Sequence, residues 1–364
     1  MNISIEPFLV TGDVTLRQAM ERLEATEERI VFVTDAERGL IGALTDGDVR
    51  RWILADGSLN EEVRSVCNPD PYTAGPGYRL DEIRALMLDR NIACVPVLDA
   101  ERRVIDLLFW SRVFRDQPER PAPAPLGVPV VVMAGGKGTR LEPFTRILPK
   151  PLIPIGDKAV IEIIIDAFTA YGVDEFIISV NHKAKVIKSF FEDLAPPYRV
   201  RYIDEDQPLG TAGALRTLAG DVTGSLIVTN CDIIVRTDYA DLLRTHRQEE
   251  DDVTIVASMK SYNIPYGVCE LANGGRLGRI VEKPRYDLLV NTGMYVLRAD
   301  VLDLIPADRV FHATDLIDAV LARGGRVGVY PISENAWLDT GEWAEYRRTV
   351  QALGTIGTHQ GEPL

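Results

Sequence analysis

Residues 128 to 151 read Val-Pro-Val-Val-Val-Met-Ala-Gly-Gly-Lys-Gly-Thr-Arg-Leu-Glu-Pro-Phe-Thr-Arg-Ile-Leu-Pro-Lys-Pro, and the fold is decided by their order. Val130 to Met133 make an apolar, β-branched run that is too short for a helix core and suits a strand buried on both faces. Gly135, Gly136 and Gly138 follow, so the backbone can turn sharply and come close to a ligand where a Cβ would clash. Consecutive free amides in such a turn form an anion-binding concavity, and Lys137, Arg140 and Lys150 place cations around it. The expectation is a polyphosphate cradle, against the alternative of an ordinary glycine-rich connection with surface lysines. The spacing is neither G-x-x-x-x-G-K-[ST] nor G-x-G-x-x-G, so the P-loop and dinucleotide fingerprints both fail.

From Gly135 to Pro151 the letters resemble the signature of the sugar-1-phosphate nucleotidyltransferases, GGxGTRLxPxT followed by PKP. The resemblance implies an α/β domain with a Rossmann-like, mainly parallel sheet of GT-A type. It implies that Ala134, Gly135, Gly136, Gly138 and Thr139 bind the nucleotide, and that Mg²⁺ is the cofactor.

The chain has 364 residues, enough for two domains, and 46% hydrophobic content supplies a core for each. A net charge of −14 repels a nucleic-acid backbone, so the cations must act locally. Cys67, Cys94, Cys231 and Cys269 are scattered without a C-x-x-C pair, which argues against a zinc site or disulfide scaffold and fits a reducing cytosol. The N-terminus lacks a basic, then apolar leader, and no run approaches a membrane span, so a cytoplasmic protein is expected.

Residues 1 to 117 contain a repeat with an offset of 64: Leu16 falls on Leu80, Asp35 to Arg38 on Asp99 to Arg102, Ile41 on Ile105, Leu44 on Leu108 and Val49 on Val113. Each copy reads as helix, strand, charged turn, strand and closing helix, and two copies would share one core. Gly42 to Arg51 resembles the most recognisable part of a CBS domain, so this region is expected to be an α+β CBS pair. That resemblance implies an adenine-nucleotide site with Asp48 on the ribose and Thr45 near the phosphate. A carboxylate there can accept from both hydroxyls of a cis-diol. The second copy has Phe109-Trp110-Ser111-Arg112 instead, so one site per pair is expected, or a pair kept for packing alone.

Residues 118 to 127 hold four prolines between Pro118 and Pro125 and read as a semi-rigid linker. From 128 to 350 strands and helices alternate, implying right-handed crossovers and a ligand site at the carboxyl edge of the sheet; residues 351 to 364 form a tail. Expected elements include a helix from Ala159 to Ala170, a strand from Asp174 to Val180, a helix from Lys183 to Asp193, strands at Arg199 to Asp204 and Ser225 to Asn230, and a helix from Ala212 to Ala219.

Three further stretches complete the candidate site. Leu209-Gly210-Thr211-Ala212-Gly213 resembles the family's base-gripping loop, in the form most like guanylyl-transferring members, so Gly210, Thr211 and Gly213 are nucleotide-binding candidates. Asp232 and Asp339 match the family's metal carboxylates, and a hard cation wants such oxygens together with substrate phosphates. Glu282-Lys283-Pro284 and Asn291-Thr292-Gly293 match the acceptor half: Glu282 for sugar hydroxyls, Lys283 for the phosphate, and Asn291, Thr292 and Gly293 lining the pocket. Arg140, Lys150, Asp232 and Lys283 are the catalytic candidates. The resemblance extends to CBS-linked guanylyltransferases that activate glucosamine 1-phosphate in bacterial legionaminic-type acid pathways. Mannose 1-phosphate with GTP is the near alternative, then uridylyl or thymidylyl transfer, and an inactive nucleotide-sensing subunit would instead show a damaged cradle. Expected partners are a nucleoside triphosphate, a sugar 1-phosphate and a further copy of the chain in a homo-oligomer.

Overall fold

The computed structural model describes residues 4–26, 29–90, 92–114 and 124–357, in two compact units, Met1–Pro121 and Ala122–Leu364. Most of the expected proline linker and the end of the tail lie outside the described residues.

The first unit is built twice. Strand β1 (Leu9–Thr11), helix α1 (Leu16–Glu24), strands β2 (Ile30–Thr34) and β3 (Leu40–Thr45) and helix α2 (Asp46–Leu54) make the first copy. Helix α3 (Leu80–Arg90), strands β4 (Cys94–Leu98) and β5 (Val104–Phe109) and the short helix α4 (Trp110–Val113) make the second. Each of these elements in the second copy starts 64 residues after its counterpart, and the β-bulges fall at Val33/Thr34 and Val97/Leu98. The copies exchange equivalent hydrogen bonds, Leu40 N to Arg102 O at 3.0 Å and Val104 N to Arg38 O at 2.9 Å. Ile30, Phe32 and Leu40 of one copy pack with Cys94, Val104 and Leu107 of the other. Shared burial is what a half-sized apolar face needs.

The second unit is a seven-stranded sheet of β6 (Val130–Met133), β7 (Glu175–Val180), β8 (Arg199–Asp204), β9 (Ser225–Asn230), β11 (Val253–Asn263), β12 (Arg285–Arg298) and β13 (Val327–Ile332), with a short pair, β10 (Ile233–Val235) and β14 (Trp337–Asp339), beside it. Strand order is β8-β7-β6-β9-β12-β11-β13; all neighbours are parallel except β12, which runs antiparallel to both β9 and β11. Val130 and Val132 face a layer containing helix α5 (Val160–Thr169) with Ile161, Ile165 and Phe168, whereas Val131 and Met133 face Leu215, Leu218 and Leu302. Period-two side chains buried on both sides are the signature of a central parallel strand.

Helix α6 (Ala184–Leu194) follows β7, helix α7 (Tyr239–Gln248) follows β10, helix α8 (Ala313–Ala322) precedes β13 and helix α9 (Trp343–Gly357) follows β14. The helix expected from Ala212 to Ala219 is a 3₁₀ segment, Gly213–Leu218. Its first amides, Ala212 N and Gly213 N, both donate to Phe311 O at 3.0 Å, so the chain enters it pinned to a neighbouring segment.

Candidate active site

The site is assembled at the carboxyl ends of β6, β7 and β9, where an open parallel sheet offers its crevice. Directly after β6 the three glycines of the loop differ in what a side chain would meet. A methyl group on Gly135 would lie 2.7 Å from Glu205 Oε1; on Gly136 it would meet nothing within 4 Å. Gly138 has φ +67° and would press on Thr145 Cγ2 at 3.0 Å and Lys150 Cβ at 3.1 Å. Gly136 therefore faces open space, while Gly135 and Gly138 fit the loop to the protein. Lys137, Thr139 and Arg140 are exposed beside it, and Ala134 is buried.

Asp232 follows β9 and Asp339 ends β14, and the pairing of β10 with β14 places Ile233 opposite Asp339. Thr340 fixes the junction, donating to Asp232 O from its backbone N and from Oγ1, both at 2.8 Å. The carboxylates converge on Gly341, where a methyl group would lie 2.9 Å from Asp339 Oδ1, 3.0 Å from Asp232 Oδ2 and 3.4 Å from Lys150 Nζ. Lys150 Nζ bonds Asp232 Oδ2 directly. Burial pushes the Asp339 carboxyl above its usual range, opposed by the Gly341 N–H at 2.6 Å, and the Asp232 charge pushes it further the same way. Asp232 and Asp339 also raise the Arg140 guanidinium, although the hydrogen bond to Glu342 is the main cause. Arg140, Lys150, Asp232 and Asp339 thus form one electrostatic cluster. The adjoining Cys231 is a buried thiol pushed up to about 12 by desolvation, which leaves it inert as a nucleophile.

The donor set fits magnesium. Two crowded carboxylates have one ammonium between them, and among the described residues no group of three or more His, Cys, Asp or Glu converges as a closed cage. Mg²⁺ characteristically takes one or two carboxylates and fills its remaining positions with water and phosphate oxygens.

The loop at residues 209–213 is tied closely to residues 309–313. Gly210 has φ +85° and abuts Phe311 O, with a methyl group there only 2.6 Å away; Gly213 would meet Leu209 Cβ at 2.8 Å and Arg309 O at 3.0 Å. Thr211 Oγ1 accepts from Ala313 N at 2.9 Å. The close backbone approach at Gly210 and Gly213 is made by residues 309–312, a partner that the sequence did not reveal.

Sequence reading also missed Glu205. This carboxylate is 8% exposed, stands against Gly135, bonds Ser179 Oγ and accepts from Leu209 N at 2.9 Å, with no cationic partner among the described residues. It joins the glycine loop to the loop that starts at Leu209. In the sequence it directly follows the strand expected from Arg199 to Asp204, within the acidic run Asp204-Glu205-Asp206 that does not set it apart.

Strand β12 carries a bulge against β11 at Thr292-Gly293. Thr292 Oγ1 donates to Val256 O at 2.7 Å, Asn291 Oδ1 accepts from Gly293 N at 3.0 Å, and Asn291 Nδ2 donates to Tyr295 Oη at 2.9 Å. Gly293, with φ +90°, lies so close to Asn230 that a methyl group would fall 2.4 Å from its Nδ2. The bulge brings β12 onto Asn230, two residues before Asp232. Glu282 and Lys283 are exposed before β12, with Glu282 Oε2 beside Gly267, and no hydrogen bond or ion pair among the described residues joins them to the aspartate cluster.

In the first unit, Asp48 is 8% exposed and caps α2: its Oδ2 accepts from Thr45 N at 2.8 Å and Thr45 Oγ1 at 2.6 Å, while Oδ1 pairs with Arg51. Both oxygens are engaged within the helix start, so a ribose would use their remaining lone pairs or displace Arg51. At the equivalent place in the second copy, Arg112 Nη1 contacts both oxygens of Asp106, at 2.8 and 2.7 Å.

Residues 129–355 match the nucleotidyl transferase family, and residues 3–55 and 63–115 each match the CBS domain. Mannose-1-phosphate guanylyltransferase of Mycobacterium tuberculosis is 30% identical over 250 residues, covering 65% of this chain and 69% of the relative. A probable mannose-1-phosphate guanylyltransferase of rice is 29% identical over 225 residues (59% and 62%), and the UTP–glucose-1-phosphate uridylyltransferase of Synechocystis is 27% identical over 244 residues (61% and 62%). The chain therefore spans 62% of the length of these last two relatives. Among solved structures, HddC from Yersinia pseudotuberculosis superposes with a TM-score of 0.50 at 25% identity, over 62% of this chain and 99% of that one. No helix among the described residues is long and apolar enough to cross a membrane. The chain belongs to the nucleotidyl transferase family and carries a pair of CBS domains ahead of the family domain.

Proposed function

We propose that the chain is a sugar-1-phosphate guanylyltransferase, joining GTP to a hexose 1-phosphate with release of diphosphate; glucosamine 1-phosphate is the first candidate acceptor and mannose 1-phosphate the second. The observation that carries this reading is the convergence of Asp232, Asp339 and Lys150 on Gly341 beside the open glycine loop. A phosphate oxygen of the sugar 1-phosphate attacks the α-phosphorus in line, the bond to the β-phosphate bridging oxygen breaks, and its electron pair leaves with diphosphate. The acceptor carries about −1.5 to −2 charges at neutral pH, so no general base and no enzyme nucleophile is needed. What the protein must supply is positioning and charge neutralisation.

The amides of the Gly135 to Gly138 loop and Arg140 hold the triphosphate, and Lys150 meets the α-phosphate after releasing Asp232. Lys283 holds the acceptor phosphate, Glu282 the sugar hydroxyls, and the Asn291 to Gly293 bulge forms the pocket wall. Asp232 and Asp339 would hold magnesium, which would supply Lewis-acid charge neutralisation to the phosphates.

Support for guanine comes from Glu205 and from relatives named as mannose-1-phosphate guanylyltransferases. A buried carboxylate without a cation offers acceptors for the adjacent N1–H and N2–H donors of guanine; a uracil edge presents a single N–H. The CBS pair is proposed to hold at most one adenine nucleotide, at Thr45 and Asp48. Release of diphosphate, followed across four nucleoside triphosphates and a panel of hexose 1-phosphates, tests the activity: GTP with glucosamine or mannose 1-phosphate is expected to dominate. No release with any pair overturns the proposal.

A further inference from the structure

Two segments some two hundred residues apart are strapped together at three points. Arg140 Nη1 donates to Glu342 Oε1 at 3.0 Å, Trp343 Nε1 donates to Glu142 O at 3.0 Å, and the rings of Phe144 and Trp343 meet with centroids 4.9 Å apart. Glu342 lies three residues after Asp339 and directly after Gly341, so the strap joins the loop carrying Arg140 to the strand end carrying Asp339. The neutral contacts at Trp343 fix the loop's path. Glu342 adds a charge whose place is not required by that packing, because its side chain is 58% and that of Arg140 70% exposed.

We propose that Glu342 is a positioning residue that acts as an exchangeable counter-ion for Arg140: it occupies the guanidinium when no polyphosphate is present, is displaced when the triphosphate tail arrives, and pairs with Arg140 again as diphosphate leaves. The inference rests on the assignment of Arg140 to the triphosphate. The sign follows from charge. Without ligand, Arg140 stands among Glu342, Asp232 and Asp339, all three of which favour its charged form. A polyanion arriving there meets the Glu342 carboxylate as a like charge, and only one Arg140 nitrogen is needed to leave it. An exposed ion pair is weak enough to exchange at little cost, and salt screens both the pair and the repulsion. A buried, doubly bonded pair could not serve in this way.

Calorimetric titration of the full chain with inorganic tripolyphosphate in magnesium-containing buffer tests the exchange without requiring turnover. Glu342→Gln is expected to bind about two- to fivefold more tightly than wild type at low salt, the size of an exposed charge pair, with the gain fading at high salt. Glu342→Asp, which keeps the charge, restores wild-type affinity. In an Arg140→Met background the Glu342→Gln gain shrinks to what direct repulsion alone supplies, as a double-mutant cycle requires of an effect transmitted mainly through Arg140. In turnover, Glu342→Gln becomes more sensitive to inhibition by diphosphate. Weaker or unchanged binding by Glu342→Gln, the same gain without Arg140, or no binding by wild type overturns the exchange. Wild type that binds tripolyphosphate yet releases no diphosphate with any substrate pair overturns the proposed activity and leaves the exchange standing.

Discussion

The convergence on Gly341 gives a quantitative prediction for Gly341→Ala. The backbone at this residue does not need a left-handed φ, so alanine is conformationally acceptable and the cost is confined to the new methyl group. That methyl would sit 2.9 Å from Asp339 Oδ1 and 3.0 Å from Asp232 Oδ2, where ordinary contact begins at 3.4 Å, so the carboxylates must spread by about half an ångström. Asp339 cannot swing freely, because its Oδ1 accepts from Gly341 N at 2.6 Å, and Asp232 is tied to Lys150. A displacement near the roughly 0.5 Å tolerance of a catalytic constellation, with about a hundredfold loss per ångström, predicts a kcat lower by about ten- to a hundredfold. A crowding cost of about 1 kcal/mol or less lowers Tm by no more than about 4 °C in a domain of this size. The assay is diphosphate release with magnesium titrated, alongside thermal melting: kcat falls and more magnesium is needed for half-maximal rate while the fold persists. Wild-type kcat with an unchanged magnesium requirement would show that the two aspartates do not work as a pair.

Three other outcomes follow from single side chains. Glu205→Gln is expected to lower kcat/KM for GTP at least about tenfold and that for UTP much less, because the amide nitrogen replaces an acceptor facing Leu209 N and the proposed guanine edge; equal losses would remove Glu205 from base recognition. His246 is 2% exposed and its Nδ1 lies 2.8 Å from Thr254 Oγ1; burial, then the nearby Arg247 and Arg298 charges, hold its pKa down to about 4 against an ordinary 6.5. The unfolded chain therefore binds a proton at His246 that the folded chain refuses between those values, so stability is lost as pH falls from about 6.5 towards 4; the Tm of His246→Gln should drop less over this range than that of wild type. Isothermal titration with AMP is expected to show at most one site per chain, abolished by Asp48→Asn; heat that survives this substitution places the nucleotide elsewhere.

Much of the fold is legible because it repeats or alternates. The 64-residue offset fixes the first unit element by element, since a duplicated sequence with duplicated turn chemistry forms duplicated turns: Asp35 Oδ1 accepts from Glu37 N and Gly39 N as Asp99 Oδ1 does from Glu101 N and Arg103 N. In the second unit, the strands Arg199–Asp204 and Ser225–Asn230 have their expected bounds. The segment after Ala212 does not, because helix propensity in Ala-Gly-Ala-Leu-Arg-Thr-Leu says nothing of a carbonyl supplied from residue 311.

The site divides along the same line, and the division explains which residues the sequence could offer. Glycines and lysines in a short loop advertise a polyphosphate cradle locally, since spacing alone sets their neighbours. A pair of aspartates 107 positions apart carries no local sign of pairing; they meet because β14 crosses back to β10 and Thr340 bonds Asp232 O twice. The residues left unnoticed, Glu205 and Glu342, are acidic in an acidic chain, so composition hides them. Their distinction lies in what each faces: one carboxylate is buried against Gly135 without a cation among the described residues, and the other is exposed on the arginine proposed to hold the triphosphate. In a site that must bring two polyanions together, each negative charge left near them opposes binding unless it accepts a proton, a metal or a hydrogen bond in return. The placement of Glu205 against the glycine loop, and of Asp232, Asp339 and Glu342 around Gly341 and Arg140, is therefore a more specific mark of function than the cations beside them, because a phosphate-binding surface built for affinity alone would have no use for those four carboxylates.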